Sequence, residues 1–213
     1  MKKLFTAIRN NNIDEVRELL VKKPELISCT AKQPPKKDDG QSPLQVAFKT
    51  GKFEIIRLLL SLGADVNFIE DEACCNQWRA PVIHDAIVAA IMSSRWNTNT
   101  YEYKVHSTKN NADEAYVLLE EVVKLGADVN ALDSYGISCI WRAIMQTRQI
   151  LPRYNHVEKK LMKDRVFTEE LRLDLSRIFQ LLIANGADLN YVAPSFTKTV
   201  KDQFKNEPVA EFL

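Results

Sequence analysis

The chain is short of glycine: six residues in 213, with no glycine-rich phosphate loop and no GxSxG turn. That removes the best-marked nucleotide-binding and serine-hydrolase patterns. Histidine is scarce as well, with three, and the four cysteines form no CxxC pair. No set of His, Cys, Asp or Glu recurs at metal-ligand spacing, so neither a metal nor a cofactor is expected. Cys74 and Cys75 are adjacent and cannot easily bridge each other, which suits a reduced, cytoplasmic chain. Neither sign of charge prevails: 29 Lys and Arg against 28 Asp and Glu leave +1. This is too little for a general attraction to nucleic acid, an anionic membrane or an acidic substrate. Long apolar runs are missing too. The longest, AIVAAIM from Ala86 to Met92, is far below the roughly 20 residues that span a bilayer. The apolar stretch behind Lys2 and Lys3 is broken by Arg9 and three asparagines, unlike a signal peptide.

Half of that scarce glycine sits in one recurring string. GADVN stands at Gly63 to Asn67 and again at Gly126 to Asn130, and GADLN at Gly186 to Asn190. The segments before them, IIRLLLSL, YVLLEEVVKL and IFQLLIAN, carry leucines at helical spacing and run into a glycine that can take the left-handed conformation. Each predicts a helix end. Upstream, GQSPLQVAFKTGK predicts a helix capped by Ser42, begun at Pro43 and ended near Gly51. Two short antiparallel helices and an extended finger make one unit. A single unit cannot bury its own apolar face, so stacking is required.

The stretch GQSPLQVAFKTGKFEIIRLLLSLGADVN resembles the ankyrin repeat family, whose unit of roughly 33 residues carries a TPLHxA start. Ser42, Pro43 and Leu44 match that start, and Gln45 stands where it has histidine. The resemblance implies an all-α solenoid. In the first unit, KKLFTAIRNNNIDEVRELLVKKPELI, Ala7 falls on Ala47, and Asn11 and Asn12 fall on Gly51 and Lys52. In the third, PVIHDA falls on SPLQVA, putting His84 in the histidine slot and Ala86 in the small-residue slot. In the fourth, LDSYGISCIWRA places Ser138, Trp141 and Ala143 in the same slots. One domain over 1–213 results, with units at about 1–34, 35–67, 68–130 and 131–190. A cap follows at 191–213, with a helix around 200–212.

The glycines Gly63, Gly126 and Gly186 are 63 and then 60 residues apart, about thirty more than one repeat each time. Each gap holds one TPLH-like start and one leucine-rich second helix, which argues for an insertion between the two helices and against a hidden repeat. The first insertion, 93–111, reads as a loop or small hairpin. The second, 146–170, spaces Val157, Leu161, Met162 and Val166 as a helical extension of the following helix, after a turn near Pro152 to His156.

One pair tempts a catalytic reading, His84 beside Asp85. Neighbours on a helix point roughly 100° apart and do not face each other, so the two make no direct dyad. The resemblance implies that His84 instead bonds backbone at a finger turn and positions the next unit. No catalytic residue is expected, and an enzyme with a site around His84, Asp85 and the insertions is the alternative from another class. Cys139 fits a small buried slot. At Cys74 and Cys75 only Arg79 stands near enough in sequence to favour a thiolate.

The resemblance implies a protein partner of unknown identity, bound on the concave side by finger tips and first helices. Slot by slot, that surface becomes Asp38, Asp39, Gln41 and Lys49, then Gln77, Trp78, Arg79, Ala80 and Val88, then Ser134, Tyr135, Ile137, Met145 and Gln146. Trp78 and Tyr135 are the leading contacts, because Trp and Tyr often dominate interfaces; the competing reading folds Trp78 back onto its own finger. Trp96, Tyr101, Tyr103 and Lys104 of the first insertion add contact surface. The stretch 148–165 carries a local charge of +4, read first as a solvated face, then as a dock for an acidic protein. Nucleic acid comes last, since one short arm supplies few phosphate contacts. The expected whole is a monomer in the free state, non-enzymatic, possessing one dedicated partner, as an inhibitor or immunity-type protein would.

Overall fold

Wherever leucines recur at helical spacing the chain is helical. The computed structural model describes residues 1–98 and 102–213. Its helices are α1 (Lys2–Arg9), α2 (Ile13–Lys22), α3 (Pro43–Lys49), α4 (Phe53–Ser61), α5 (Val82–Met92), α6 (Lys109–Lys124), α7 (Cys139–Thr147), α8 (Glu169–Ala184) and α9 (Val200–Phe204). They pack as pairs, α1 on α2, α3 on α4, α5 on α6 and α7 on α8, while α1, α3, α5 and α7 also pack on one another in order. No helix among the described residues is long and apolar enough to cross a membrane.

Local chemistry explains the boundaries. Ser42 and Gln45 form a reciprocal capping box at the start of α3, with Gln45 N donating to Ser42 Oγ at 3.2 Å and Ser42 N to Gln45 Oε1 at 3.0 Å, so two orphan amides are satisfied at once. The turns from α1 to α2 and from α3 to α4 use the same left-handed backbone, at Asn11 (φ 57°) and Gly51 (φ 63°). Asparagine is one of the few side chains that tolerates it.

The GAD strings stack directly on one another. Asn67 Nδ2 donates to the Gly126 carbonyl at 3.0 Å and receives the Asp128 amide on its Oδ1 at 2.9 Å. Asn130 does the same one step on, to the Gly186 carbonyl at 2.9 Å and from the Asp188 amide at 2.8 Å. Gly63, Gly126 and Gly186 each have φ between 81° and 93°, the left-handed region their place after a helix end needs.

α5 lies at the centre, against α3, α6, α7 and α8. It is buried along almost its whole length, His84 and Asp85 included.

The described residues of the stretch expected as a loop or small hairpin, 93–98 and 102–108, are non-helical and meet in a hairpin-like pairing. Asn97 bridges to Val105 in antiparallel fashion, and His106 N donates to the Trp96 carbonyl at 2.9 Å. The last residues of that stretch are a correction: Lys109 to Asn111 already belong to α6, because Thr108 caps it by accepting from the Asn111 amide. Tyr101 lies outside the described residues.

The helical extension expected over 157–166 is not there. Tyr154–Asn155 and Lys160–Leu161 instead pair as a two-stranded antiparallel hairpin, β1 and β2. Asn155 Oδ1 accepts the amides of Val157 and Glu158, and Lys159 takes φ 51° in the turn. The reason is the absence of anything for the apolar stripe to cover: Val157 is 92% exposed, and Leu161, Met162 and Val166 are exposed as well. A four-residue period makes a helix only where its face is buried. Asn97, fully buried, ties the two insertions together, donating to the Val166 carbonyl at 2.6 Å and accepting its amide at 3.0 Å.

The helix expected around 200–212 is also divided. α9 ends at Phe204 and a separate 3-10 turn runs Pro208–Phe212, because Pro208 lacks the amide that continuation would require. Both pieces still cap the core. Phe204 meets Trp141 edge-on at 5.6 Å, and Phe212 stacks on Phe179 at 5.1 Å.

Candidate functional site

One slot recurs on the first helices with three different side chains. Gln45 Nε2 donates to the Ala80 carbonyl at 2.8 Å, His84 Nε2 to the Ala131 carbonyl at 3.2 Å, and Trp141 Nε1 to the Tyr191 carbonyl at 3.0 Å. Each reaches the finger of the element that follows. What the slot requires is an N–H at the right reach, which an amide, an imidazole and an indole all possess. Accepting that role fixes His84 as the Nε2–H tautomer. Burial, and then the Arg142 charge, pull its pKa down to about 4, so the ring is neutral at ordinary pH.

His84 and Asp85 share no hydrogen bond. His84 faces the Ala131 turn, whereas Asp85 feels Lys49 and Gln45 on the α3 side. Burial raises the Asp85 pKa to about 7. Among the described residues no group of three or more His, Cys, Asp or Glu is arranged to hold a metal ion. The signature positions Ser42, Pro43, Leu44, Ala86, Ser138 and Ala143 are all buried.

The fingers are where the expected contact surface and the structure part. Asp38, Asp39 and Gln41 are buried and cannot serve as open contacts. Arg9 Nε donates to Asp38 Oδ2 at 2.8 Å. Asp39 Oδ2 receives the Cys75 amide at 2.9 Å, and Gln41 Nε2 donates to Glu70 Oε1 at 3.0 Å, whose other oxygen takes the Ala80 amide at 2.8 Å. These polar groups are spent on joining one finger to its neighbours, as buried polar groups generally are. Ala80 and Ile137 are buried too, at the finger bases. Val88 is half-buried.

Trp78 packs onto the next finger, which neither sequence reading anticipated. It is half-buried, its Nε1 donates to Asp133 Oδ2 at 2.8 Å, and Arg142 lies over its ring at 4.9 Å. The same joint is sewn by backbone: Arg79 N to Ser134 Oγ at 3.0 Å and Ser134 N to the Arg79 carbonyl at 2.9 Å. The Arg79 side chain itself pairs with Glu72.

Asp133 is the hub. It accepts from Trp78, from Arg142 at 2.9 Å, and from the amides of Tyr135 and Ile137. Burial pushes its pKa up, and those donors more than reverse the push, leaving it below the usual carboxylate range. Sequence reasoning missed Asp133 because its partners lie as far as 55 residues away. The signal available was an aspartate two residues before Tyr135 at a tight turn, a position that commonly caps backbone amides.

What stays open on this face is Lys49, Gln77, Ser134 and Tyr135, all exposed, with Tyr135 at 54%. Met145 and Gln146 are half-buried, and the Gln146 amide reaches Met92 Sδ at 2.9 Å. Gln41, Lys49, Gln77 and Trp78 line a cavity of about 270 Å³. A larger one, about 450 Å³, lies where α7, the second insertion and the C-terminal turn meet, with Arg148, Arg153, His156 and Glu207 on its walls.

The insertions offer less free surface than the sequence promised. Trp96 stacks on His106 at 4.0 Å with Arg165 above it, while Tyr103 and Lys104 remain exposed. In the basic stretch Arg148 pairs with Glu207, Arg153 with Asp164 and Lys160 with Glu158. The Cys75 thiol is pushed up by desolvation and by Asp39, and Cys139 by burial; neither is arranged as a thiolate.

Residues 2–70 match the family model of ankyrin repeats (3 copies). Over 100 residues, 47% of this chain, the sequence is 30% identical to BRCA1-associated RING domain protein 1 of Caenorhabditis elegans. The match covers 12% of that relative's length.

Proposed function

That this is a chain of ankyrin repeats is the premise from which we propose that it acts, without catalysis, as a protein-binding module using its first-helix and finger face. Ankyrin repeats are generally protein–protein interaction modules. The observation that carries the reading to this face is the joint between fingers. Asp133, Trp78, Ser134 and Arg142 lock the finger bases together, while Gln77 and Tyr135 project from the locked base into solvent. A large aromatic held out on a braced loop is the kind of anchor that dominates an interface, because little freedom is left to lose on binding.

The finer reading is four units with an insertion in each of the last two. Its support is the direct bonding of Asn67 to Gly126 and of Asn130 to Gly186, which fits those strings lying in adjacent units. Two insertions, clamped to each other through Asn97, suit one dedicated partner, as for an inhibitor or immunity-type protein, with the free chain monomeric and cytoplasmic. The enzyme alternative draws less support, since the buried His84 already spends its Nε2–H on Ala131. So does the nucleic-acid alternative, since arginines of the basic stretch are engaged by carboxylates.

Affinity capture with the full chain from its source cell, followed by a Gln77→Ala, Tyr135→Ala double variant, tests the reading. Both positions are exposed, so the fold should hold, and loss of a hot-spot tyrosine should weaken the complex by at least about thirtyfold, or about 2 kcal/mol. Unchanged affinity would move the interface to the back or to the insertions.

A further inference from the structure

Three of the buried aspartates are answered by the molecule's own arginines and a fourth, Asp39, by the Cys75 amide, which leaves Asp85. Asp38 has Arg9 at 2.8 Å, Asp133 has Arg142 at 2.9 Å, and Asp174 has Arg95 at 2.8 Å. Asp85 is 4% exposed, has no cation within ion-pair distance, and among the described residues its Oδ2 is the only buried carboxylate oxygen without a hydrogen-bond partner. An unanswered carboxyl inside a fold is destabilising, and such a group asks for an explanation.

Its surroundings supply one. Asp85 borders a cavity of about 210 Å³ between α3 and α5, walled by Phe48, Val88, Ala89 and Met92, with Lys49 and Ser93 also lining it. Lys49 lines the neighbouring 270 Å³ cavity as well, with Gln77 and Trp78, so the two hollows adjoin along the face already assigned to the partner. Apolar walls with one acidic group match a cationic head on an aliphatic stem.

We propose that this cavity is a socket for a lysine or arginine side chain of the protein partner, with the stem against Val88 and Met92 and the charged head on Asp85. The inference rests on the finger-face reading above and adds to it the chemistry of one anchor. Lys49 is not the resident cation, since it makes no ion pair with Asp85 and is itself exposed. The charges that weigh most on Asp85 are Lys49 of α3 and Arg142 of α7, which favour the carboxylate, and Glu70 of the preceding finger, which opposes it. Burial dominates all three and holds the free group protonated up to about pH 7. Capture of a cation therefore expels a proton and tightens as pH rises.

The test uses the full chain and n-butylguanidinium as probe, followed by NMR at the Asp85 side-chain carboxyl and at the Val88 and Met92 amides, with n-butanol as the neutral comparison. Saturable shifts are expected with the cation and not with the alcohol. Binding should be about tenfold tighter at pH 8 than at pH 6, the ratio of ionised fractions for a group titrating near 7. Asp85→Asn, which keeps volume and fold, should abolish the response. No saturable shift at pH 8, or an equal one in Asp85→Asn, would overturn the socket. So would binding that appears only after Lys49→Met, which would make Lys49 the natural counter-ion. An inert socket, together with loss of partner capture in the Gln77→Ala, Tyr135→Ala variant, would remove the socket and leave the finger face standing.

Discussion

Between α3 and the finger that follows it, the linking bond from Gln45 to Ala80 joins residues 35 apart; from His84 to Ala131 the separation is 47, and from Trp141 to Tyr191 it is 50. The N-terminal half reaches its neighbour by a short path, and the C-terminal half keeps the same bond across a longer stretch of chain. Long surface loops add little closure entropy per residue, so an array can carry them as long as the stacking bonds survive. The comparison also shows what the slot selects for. Three unlike side chains occupy it, and what they share is one N–H reaching a carbonyl of the next finger.

The largest expected break in this comparison is at Trp141. Its side chain is fully buried, tilted on Phe196 at 4.2 Å and edge-on to Phe204, so Trp141→Ala should cost about 3–5 kcal/mol in urea unfolding. Gln45→Ala, which removes one bond to Ala80 and half a capping box, should cost about 1–3 kcal/mol. Equal losses would mean that the bond outweighs the packing.

Next in size is a pair of opposed pH slopes at the centre of α5. The raised pKa of Asp85, from 3.8 to about 7, gives stability that is present below pH 3.8 and lost as pH rises to 7, roughly 4 kcal/mol in all. The lowered pKa of His84, from 6.5 to about 4, gives stability that is present above pH 6.5 and lost as pH falls to 4, roughly 3 kcal/mol. The two nearly cancel, so the unmodified chain should show a flat profile between pH 4 and 6.5. Asp85→Asn should unmask stability rising with pH across that window, and His84→Gln stability falling across it. Flat profiles in both variants would contradict the buried assignments.

Much of this was legible in the sequence for a physical reason. A repeat states its pattern several times, so Gly63, Gly126 and Gly186, the Ser42–Pro43 start and the Asn11 turn could each be checked against another copy. The insertions occur once and have no such control. There the spacing of Val157, Leu161 and Met162 suggested a helix, but spacing does not reveal whether a partner face exists, and Val157 stands almost fully exposed. The finger residues failed differently. Asp38, Asp39 and Gln41 look like open surface one unit at a time, and their burial comes from neighbouring elements, the end of α1 through Arg9 and the next finger through Cys75 and Glu70. Asp133 was hidden in part for the same reason, since the partner that ties it to the preceding finger, Trp78, lies 55 residues away.

The central claim is that His84 holds a finger and moves no proton, so that function lies on the surface its bond positions. Gln45 already performs the same task, which makes His84→Gln the direct test, read at pH 7.5 where His84 is neutral. The account predicts a folded protein within about 1 kcal/mol of the original, with its captured partner bound as tightly as before. A folded His84→Gln protein that had lost that partner, or a turnover, would contradict it.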